Sequence, residues 1–424
     1  MDSIVIGAGL AGLAAASRLA AAGVAVTLLE ARHRLGGRVW TEAGPEDHAI
    51  DLAAEWIDSH GEIHRLLRAA RVPLAHAEGR MVRRVDGRWK DLEIGAVRPL
   101  LHRAASLGGR DRSLIEALDE CCGEADALES RADLLRYVRG FHAADPRRVS
   151  VRWLTQVEAN QPADASDIRA PGGAGQAVET LAASLGARCD VRLGTVVRAV
   201  HWRPGRVEIR TSDGRSLTAR SAMITVPLPL LDPPSDEPAA VRVVPRLDAK
   251  VAAARWLEMG PVVKLGLGFR TAFWRDIDAL RDVLFIHAYE QPVPTWWMAA
   301  DPAAPLLTGW AGGPDAARLA TADQPELVGL AVASLAGALG MSGRDIAAQL
   351  ESRHFHDWSA DPYSRGAYSY VGVGGTEAHH TLAQPVERTL YFAGEATCGE
   401  GFNATMEGAV RSGWRAAEEL LGEL

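Results

Sequence analysis

The run MDSIVIGAGLAGLAAASRLAAAGVAVTLLEA, residues 1–31, decides how the whole chain is read. Ser3 to Ile6 reads as a buried strand, Leu10 to Ala22 as an alanine-rich helix and Val24 to Glu30 as a second strand. Between the first strand and the helix, Gly7, Gly9 and Gly12 keep the spacing GxGxxG. The first glycine permits a tight turn, the second lets backbone approach a pyrophosphate, and the third allows close helix–strand packing. The helix start adds free N–H groups and the positive end of a dipole. Glu30 closes the second strand, where an acid meets ribose hydroxyls. The same run is apolar enough to resemble a signal peptide or membrane span. It lacks a basic leading stretch, carries Arg18 and is better accounted for as strand, turn, helix and strand, so a cytoplasmic protein outside the membrane is expected.

Outward from this unit, 424 residues exceed what one hydrophobic core serves, and two domains are expected. A net charge of −8 argues against a nucleic-acid footprint and leaves Arg83 and Arg84 as solvated surface. Cys121, Cys122, Cys189 and Cys398 show no CxxC spacing, which suits a reducing compartment. His354, His356, His379 and His380 come without a Cys or carboxylate set at ligand spacing, so no metal is assigned. Residues 99–139 look helical, and 190–228 look β-rich with a hairpin at the SDGR turn. The proline-rich stretch 227–238 reads as a connection between domains, and the chain closes with a strand at TLYFAG and a helix from about Ala404 to Leu421.

Directly after Glu30, the segment ARHRLGGRVWT supplies Gly36, Gly37 and Arg38, a second phosphate-contacting loop whose arginine neutralises pyrophosphate charge. This extension separates FAD from NAD among dinucleotide folds. With GAGLAG…LLEA, LGGR, PGGAGQAVETL, VVRAV, MITVPL, GPVVKLGLGF, W-SADPYSRGAYSYVGVG and YFAGEATCGEGFNATMEGAVRSGWRAA in order, the chain resembles the flavin-containing amine oxidases. These include monoamine oxidases, polyamine oxidases and lysine-specific histone demethylases. The resemblance is weakest between residues 80 and 165. It implies an α/β fold: a Rossmann-like, glutathione-reductase-like FAD domain (1–80, 165–240, 385–424) interleaved with an α+β substrate domain (81–164, 241–384).

The resemblance further implies that Val197, Gly394 and Glu395 contact FAD, and that backbone at Thr405 and Met406 faces the flavin pyrimidine end. Monoamine oxidases bond the flavin through a cysteine in an SGGCY-type motif; here Ser364 to Tyr368 reads SRGAY, so non-covalent FAD is expected. Asn403-Ala404-Thr405 is a formal glycosylation sequon that carries no weight inside a cofactor motif. Tyr368 matches an aromatic lining the amine site. The second ring of the monoamine oxidase cage would fall at Thr405, so that sandwich is missing and the pattern is nearer to polyamine oxidases and histone demethylases. Trp358 matches a tryptophan near the isoalloxazine. Within DLAAEWID, Trp56 would wall the cavity, and Glu55 or Asp58 would attract a cationic amine.

Lys90, Lys250 and Lys264 are the only lysines among 46 basic residues. Lys264 lies in GPVVKLGLGF, a strand whose Val263, Leu265, Leu267 and Phe269 alternate onto one face. On the other face Gly266 and Gly268 are read as leaving room for the lysine stem. By resemblance Lys264 holds a water at flavin N5 and serves flavin reoxidation. The reaction implied is hydride transfer from an amine α-carbon to flavin N5, imine hydrolysis, and reoxidation by O2 to hydrogen peroxide. The partners implied are a small amine and O2, and a homodimer is compatible with the sequence. Two alternatives stay open: an L-amino-acid oxidase, which needs a cation for the substrate carboxylate, and a tailoring oxidase or desaturase acting on a C–N bond.

Overall fold

A computed structural model describes residues 3–92, 97–121, 128–160, 166–231, 239–399 and 401–422. The opening run folds as its pattern dictates, with a strand Ser3–Ile6, a helix Leu10–Ala21 and a strand Val26–Leu29. Both strands are buried throughout, as strands covered on two faces must be. They sit in a five-stranded sheet of order Cys189–Arg192, Val26–Leu29, Ser3–Ile6, Ser221–Ile224 and Leu390–Phe392, with every neighbouring pair parallel. Helices Leu10–Ala21 and Met406–Leu421 cross closely because Gly413 is bare: a Cβ there would overlap the Ala11 carbonyl. Strands far apart in sequence therefore share one carboxyl-end edge, where ligands of open α/β sheets bind.

The β-rich stretch forms a second sheet, in which Arg206–Thr211 and Ser216–Ala219 pair as the expected hairpin. The helical stretch resolves into Val97–Ala105, Leu114–Cys121 and Leu128–Gly140, followed by Val151–Ala159. Cys122 and most of the proline-rich connection (232–238) lie outside the described residues.

The largest sheet has seven strands in the order Leu350–Phe355, Val262–Phe269, Leu306–Gly312, Thr295–Met298, Val283–His287, Arg80–Val85 and Arg88–Asp91. Behind it Leu265, Leu267 and Phe269 pack with Trp274, Leu327 and Leu335 in a core to which each large side chain contributes about 1.5–3 kcal/mol. The alternation in GPVVKLGLGF predicts one buried face, yet the strand is buried on both. Gly266 and Gly268 do not leave open space. A Cβ at Gly266 would lie 2.6 Å from Ile50 Cγ2, and one at Gly268 would lie 2.6 Å from Pro45 Cγ. The glycines admit the hairpin of Thr41–Ala43 and Ala49–Asp51, which roofs this part of the sheet.

Candidate functional site

A cavity of about 700 Å³ runs from the carboxyl edge of the parallel sheet to the front of the seven-stranded sheet. Gly7, Gly9, Glu30, Gly37, Arg38, Trp56, Asp58, Val197, Lys264, Trp358, Tyr368, Gly394, Glu395, Thr405 and Met406 all line it. Gly12 does not; it is buried behind the loop, where a Cβ would overlap the Gly7 carbonyl oxygen. Residues spread over 400 positions thus converge on one space.

At the sheet end, Gly7 has φ +102°, a conformation open to glycine, and a Cβ would come 2.8 Å from Thr225 Oγ1. The second glycine loop packs directly on the first: Gly36 N donates to Ala8 O at 2.8 Å. Glu30 Oε2 accepts from Ala8 N and Oε1 from Arg32 N, both at 2.8 Å, which fixes the acid at the strand end. Arg38 is held by Ala367 O at 2.8 Å and Glu395 Oε1 at 2.9 Å. Glu395 also accepts from Ser369 Oγ and Ala404 N, so one buried carboxylate ties three chain segments at the cavity wall. Thr405 caps the helix Met406–Leu421 by accepting from Gly408 N at 2.9 Å. The start of that 16-residue helix opens on the cavity with its dipole's positive end. Beside it Asn403 Oδ1 accepts from Trp153 Nε1, while its Nδ2 is buried and has no partner among the described residues.

Lys264 lines the cavity and is only 3% exposed. Its Nζ donates to Ala53 O and to Glu55 Oε2, each at 2.8 Å, and its third N–H has no protein acceptor among the described residues. Glu55 in turn takes Arg169 Nη1 at 3.0 Å and Trp297 Nε1 at 3.1 Å. Burial alone would raise the Glu55 carboxyl, but Lys264 and Arg169 reverse this and hold it below the usual carboxylate range. The expectation that Glu55 attracts an amine is corrected: its oxygens are already occupied by a lysine, an arginine and an indole. Asp51, the last residue of the hairpin, is pushed up to about 6 by burial, with Lys264 opposing the rise and Glu55 adding to it.

Lys250, the other buried lysine, donates to the carbonyls of Thr381, Leu382 and Gln384 at the end of helix Ala378–Ala383. Both buried lysines serve as compact multi-donor ammoniums, a task a planar guanidinium fits poorly.

The seven-stranded sheet presents an aromatic front to the cavity. Trp56 stacks on Phe285 at 5.4 Å, with the Arg169 guanidinium 4.7 Å over its ring. Phe285 meets Trp297 at 5.9 Å, Trp297 meets Trp310 at 5.8 Å, and Trp310 lies nearly parallel to Tyr368 at 6.5 Å. Trp310 is thus the ring beside Tyr368, while the Thr405 position is a helix cap. Tyr368 donates to Phe141 O at 2.7 Å and Trp310 Nε1 to Gly140 O at 2.8 Å, which ties the chain at 140–141 to the wall. Burial raises the Tyr368 hydroxyl far above its ordinary value, so it acts as a donor and not as a base. Trp358 is buried, donating Nε1 to Leu52 O at 2.9 Å.

Asp58 accepts from His60 N and faces Asp167 across a strand pair; Asp167 is raised by its burial and by Asp58. Sequence reading missed Arg169, Phe285, Trp297 and Trp310. Alternation in VLFIH and TWWM marks strands, but nothing local shows which face meets a cavity. Among the described residues no group of His, Cys, Asp and Glu is placed to hold a metal ion, none of the described cysteines lines the cavity, and no single helix is long and apolar enough to cross a membrane.

Comparison with known proteins gives a consistent picture. The model of the family described as flavin containing amine oxidoreductase matches residues 10–421. The chain is 27% identical to the Homo sapiens protein "Lysine-specific histone demethylase 2", covering 98% of this chain and 53% of that one. It is also 27% identical to "Polyamine oxidase 3" of Oryza sativa subsp. japonica, over 99% and 88% of the two chains. The chain therefore spans about half the length of the histone demethylases it matches. Among solved structures, putrescine oxidase bound to putrescine superposes with a TM-score of 0.81 at 21% identity, covering 99% of both chains. Cyclohexylamine oxidase from Brevibacterium oxydans superposes with a TM-score of 0.81 at 24% identity, over 100% and 99%. These two likenesses speak to the fold.

Proposed function

The chain belongs to the flavin-containing amine oxidoreductases, and on that premise we propose that it is a cytoplasmic amine oxidase holding FAD without a covalent bond. The observation that carries this reading is Lys264, which lines the same cavity as the glycine loops and the aromatic rings and has one N–H that no described protein group accepts. The residues present fit the cofactor: a bare-backbone turn at Gly7 and Gly9, a strand-end acid at Glu30, a helix start at Met406, and the orphaned Asn403 amide. Ala367 and the absence of the described cysteines from the wall support non-covalent binding. FAD, when bound, supplies the hydride acceptor for an amine α-carbon and passes the electrons on to O2, giving hydrogen peroxide.

This chain's own residues do the rest. Tyr368, Trp310, Trp297 and Trp56 exclude water, which favours the uncharged amine whose lone pair the reaction needs. Asp58 and Asp167 line the same cavity and draw cations towards it. Glu55 and Ala53 O orient Lys264, which then holds a water by its third N–H. An α-amino-acid substrate is disfavoured, because the arginines on the wall are taken. Arg32 is bound to Asp361, Arg38 to Glu395 and Arg136 to Asp133. A peroxide-coupled screen of mono-, di- and polyamines beside amino acids, with anaerobic bleaching of the bound flavin, tests the reading. It fails if no amine bleaches the flavin.

A further inference from the structure

The seven-stranded sheet carries a straight row of cavity-lining residues from Lys264 outward. Lys264 pairs with Trp310, Trp310 with Thr295, and Thr295 with His287. Directly paired residues point to the same face of a sheet, and all four line the cavity. Each step crosses one strand, so His287 stands about 14 Å from the Lys264 strand, at about 4.8 Å per strand.

His287 is unusual among the side chains of this wall. Its Nε2 is shut off from solvent and has no hydrogen-bond partner among the described residues. Its Nδ1 lies 3.4 Å from Thr295 Oγ1, and either atom can donate, so Nε2 is free to present a proton or a lone pair. The ring is fixed between Phe285 at 6.1 Å and Tyr289 at 5.2 Å. A buried imidazole nitrogen left unpaired is costly, and it is satisfied when a ligand meets it.

Resting on the amine-oxidase reading, we propose that His287 is a distal recognition site for an uncharged hydrogen-bonding group on the amine substrate, a hydroxyl or an amide. An uncharged group fits because the side chains described in contact with His287, namely Thr295, Phe285 and Tyr289, carry no charge. Burial alone lowers the imidazole to about 4, which leaves it neutral at working pH. Asp133, the nearby carboxylate, is held by Arg136 Nη1 at 2.9 Å, and that guanidinium sits 4.6 Å over the Tyr289 ring. Arg83 is the next residue of the row beyond His287 and shares its face. Asp58 and Asp167 belong to a different sheet. A second ammonium would therefore find a neutral ring at His287 and, at Asp133, a carboxylate already paired with Arg136. The preferred substrate is a linear primary amine with a polar, neutral far end, its chain spanning the aromatic wall. A hydrogen bond to the imidazole takes about 2.9 Å of the about 14 Å between strands, and at about 1.2 Å per bond the remainder is about nine bonds, so chains from about six to ten carbons bracket the match.

The test uses the FAD-loaded protein and anaerobic stopped-flow reduction, which returns a dissociation constant and a limiting rate for each amine. At each chain length three probes are compared: the plain alkylamine, its ω-hydroxy analogue and its ω-amino analogue. One length is expected at which the ω-hydroxy compound binds about 3- to 10-fold tighter than the alkylamine, with the ω-amino compound weakest. In His287→Phe the ratio of hydroxy to alkyl affinity falls to about one, and in His287→Gln, which keeps an amide in place of the ring nitrogen, part of it returns. Retention of the bound-flavin spectrum in both variants shows that the cavity is intact. Equal affinities at every length, tighter binding of the ω-amino probe, or a hydroxy preference that survives in His287→Phe overturns the proposal while leaving the oxidase reading standing. Failure of every amine to reduce the flavin takes both down.

Discussion

Replacing Glu55 with Gln removes one negative charge from a site where Lys264 and Arg169 are both buried. The glutamine keeps an acceptor for Trp297 and nearly the same volume, so packing changes little. Two cations are left without their counter-ion, a change that commonly costs about 3–5 kcal/mol. Arginine has no escape, since it does not lose its proton; lysine does. Stripping an ordinary lysine of its proton costs about 1.4 kcal/mol for each pH unit below about 10.4, or about 3 kcal/mol at pH 8. That sets the ceiling for the Lys264 share and gives it a pH dependence: this share of the penalty shrinks as the pH rises towards 10. Unfolding of 424 residues carries an entropy of about 0.9 kcal/mol/K, so about 3 kcal/mol lowers Tm by about 3 °C. Thermal melts followed by tryptophan fluorescence from pH 7 to 10 measure this directly. A Tm loss below about 1 °C at pH 8, or one that stays constant to pH 10, refutes the assignment of Glu55 as the counter-ion of this cluster.

Lys264→Met is expected to retain FAD while slowing oxidation of the reduced flavin by O2 by about 10²-fold, the usual cost of losing one preorganised donor; stopped-flow mixing with oxygen measures it, and an unchanged rate would reduce Lys264 to a structural ion-pair partner. Asp51, whose folded value of about 6 lies above the ordinary 3.8, contributes stability that is fully present below about pH 4 and is lost as the pH rises through 6. Asp51→Asn should therefore gain up to about 3 kcal/mol on the parent between pH 4 and 7, seen as a Tm difference that grows across that window and sinks the reasoning if it is flat. Acid precipitation should release all the flavin into the supernatant, because Ala367 stands where a linking cysteine would be; yellow colour retained in the pellet contradicts this.

The nucleotide end of the cavity was legible because its physics is local. A GxGxxG turn, the helix it opens and the acid 18 residues beyond Gly12 lie within one βαβ unit, so spacing alone carries their geometry. The lysine was legible as an anomaly, being one of three among 46 cations. Its partner was not. Glu55 and Lys264 are 209 residues apart, and no local rule relates a loop acid to a distant strand.

By itself the sequence determined the parallel sheet, the glycine-lined cradle and the family, since each rests on short-range periodicity or on motif order. Tertiary structure decided what each polar group is for. It turned Glu55 from a candidate substrate anchor into a counter-ion, filled the space beside Gly266 with Ile50, and set Trp310 beside Tyr368. It also lined up Lys264, Trp310, Thr295 and His287 across four strands. Alternation assigns a side chain to one of two faces, but whether that face meets a core, a hairpin or a cavity depends on pairings between segments far apart in the chain.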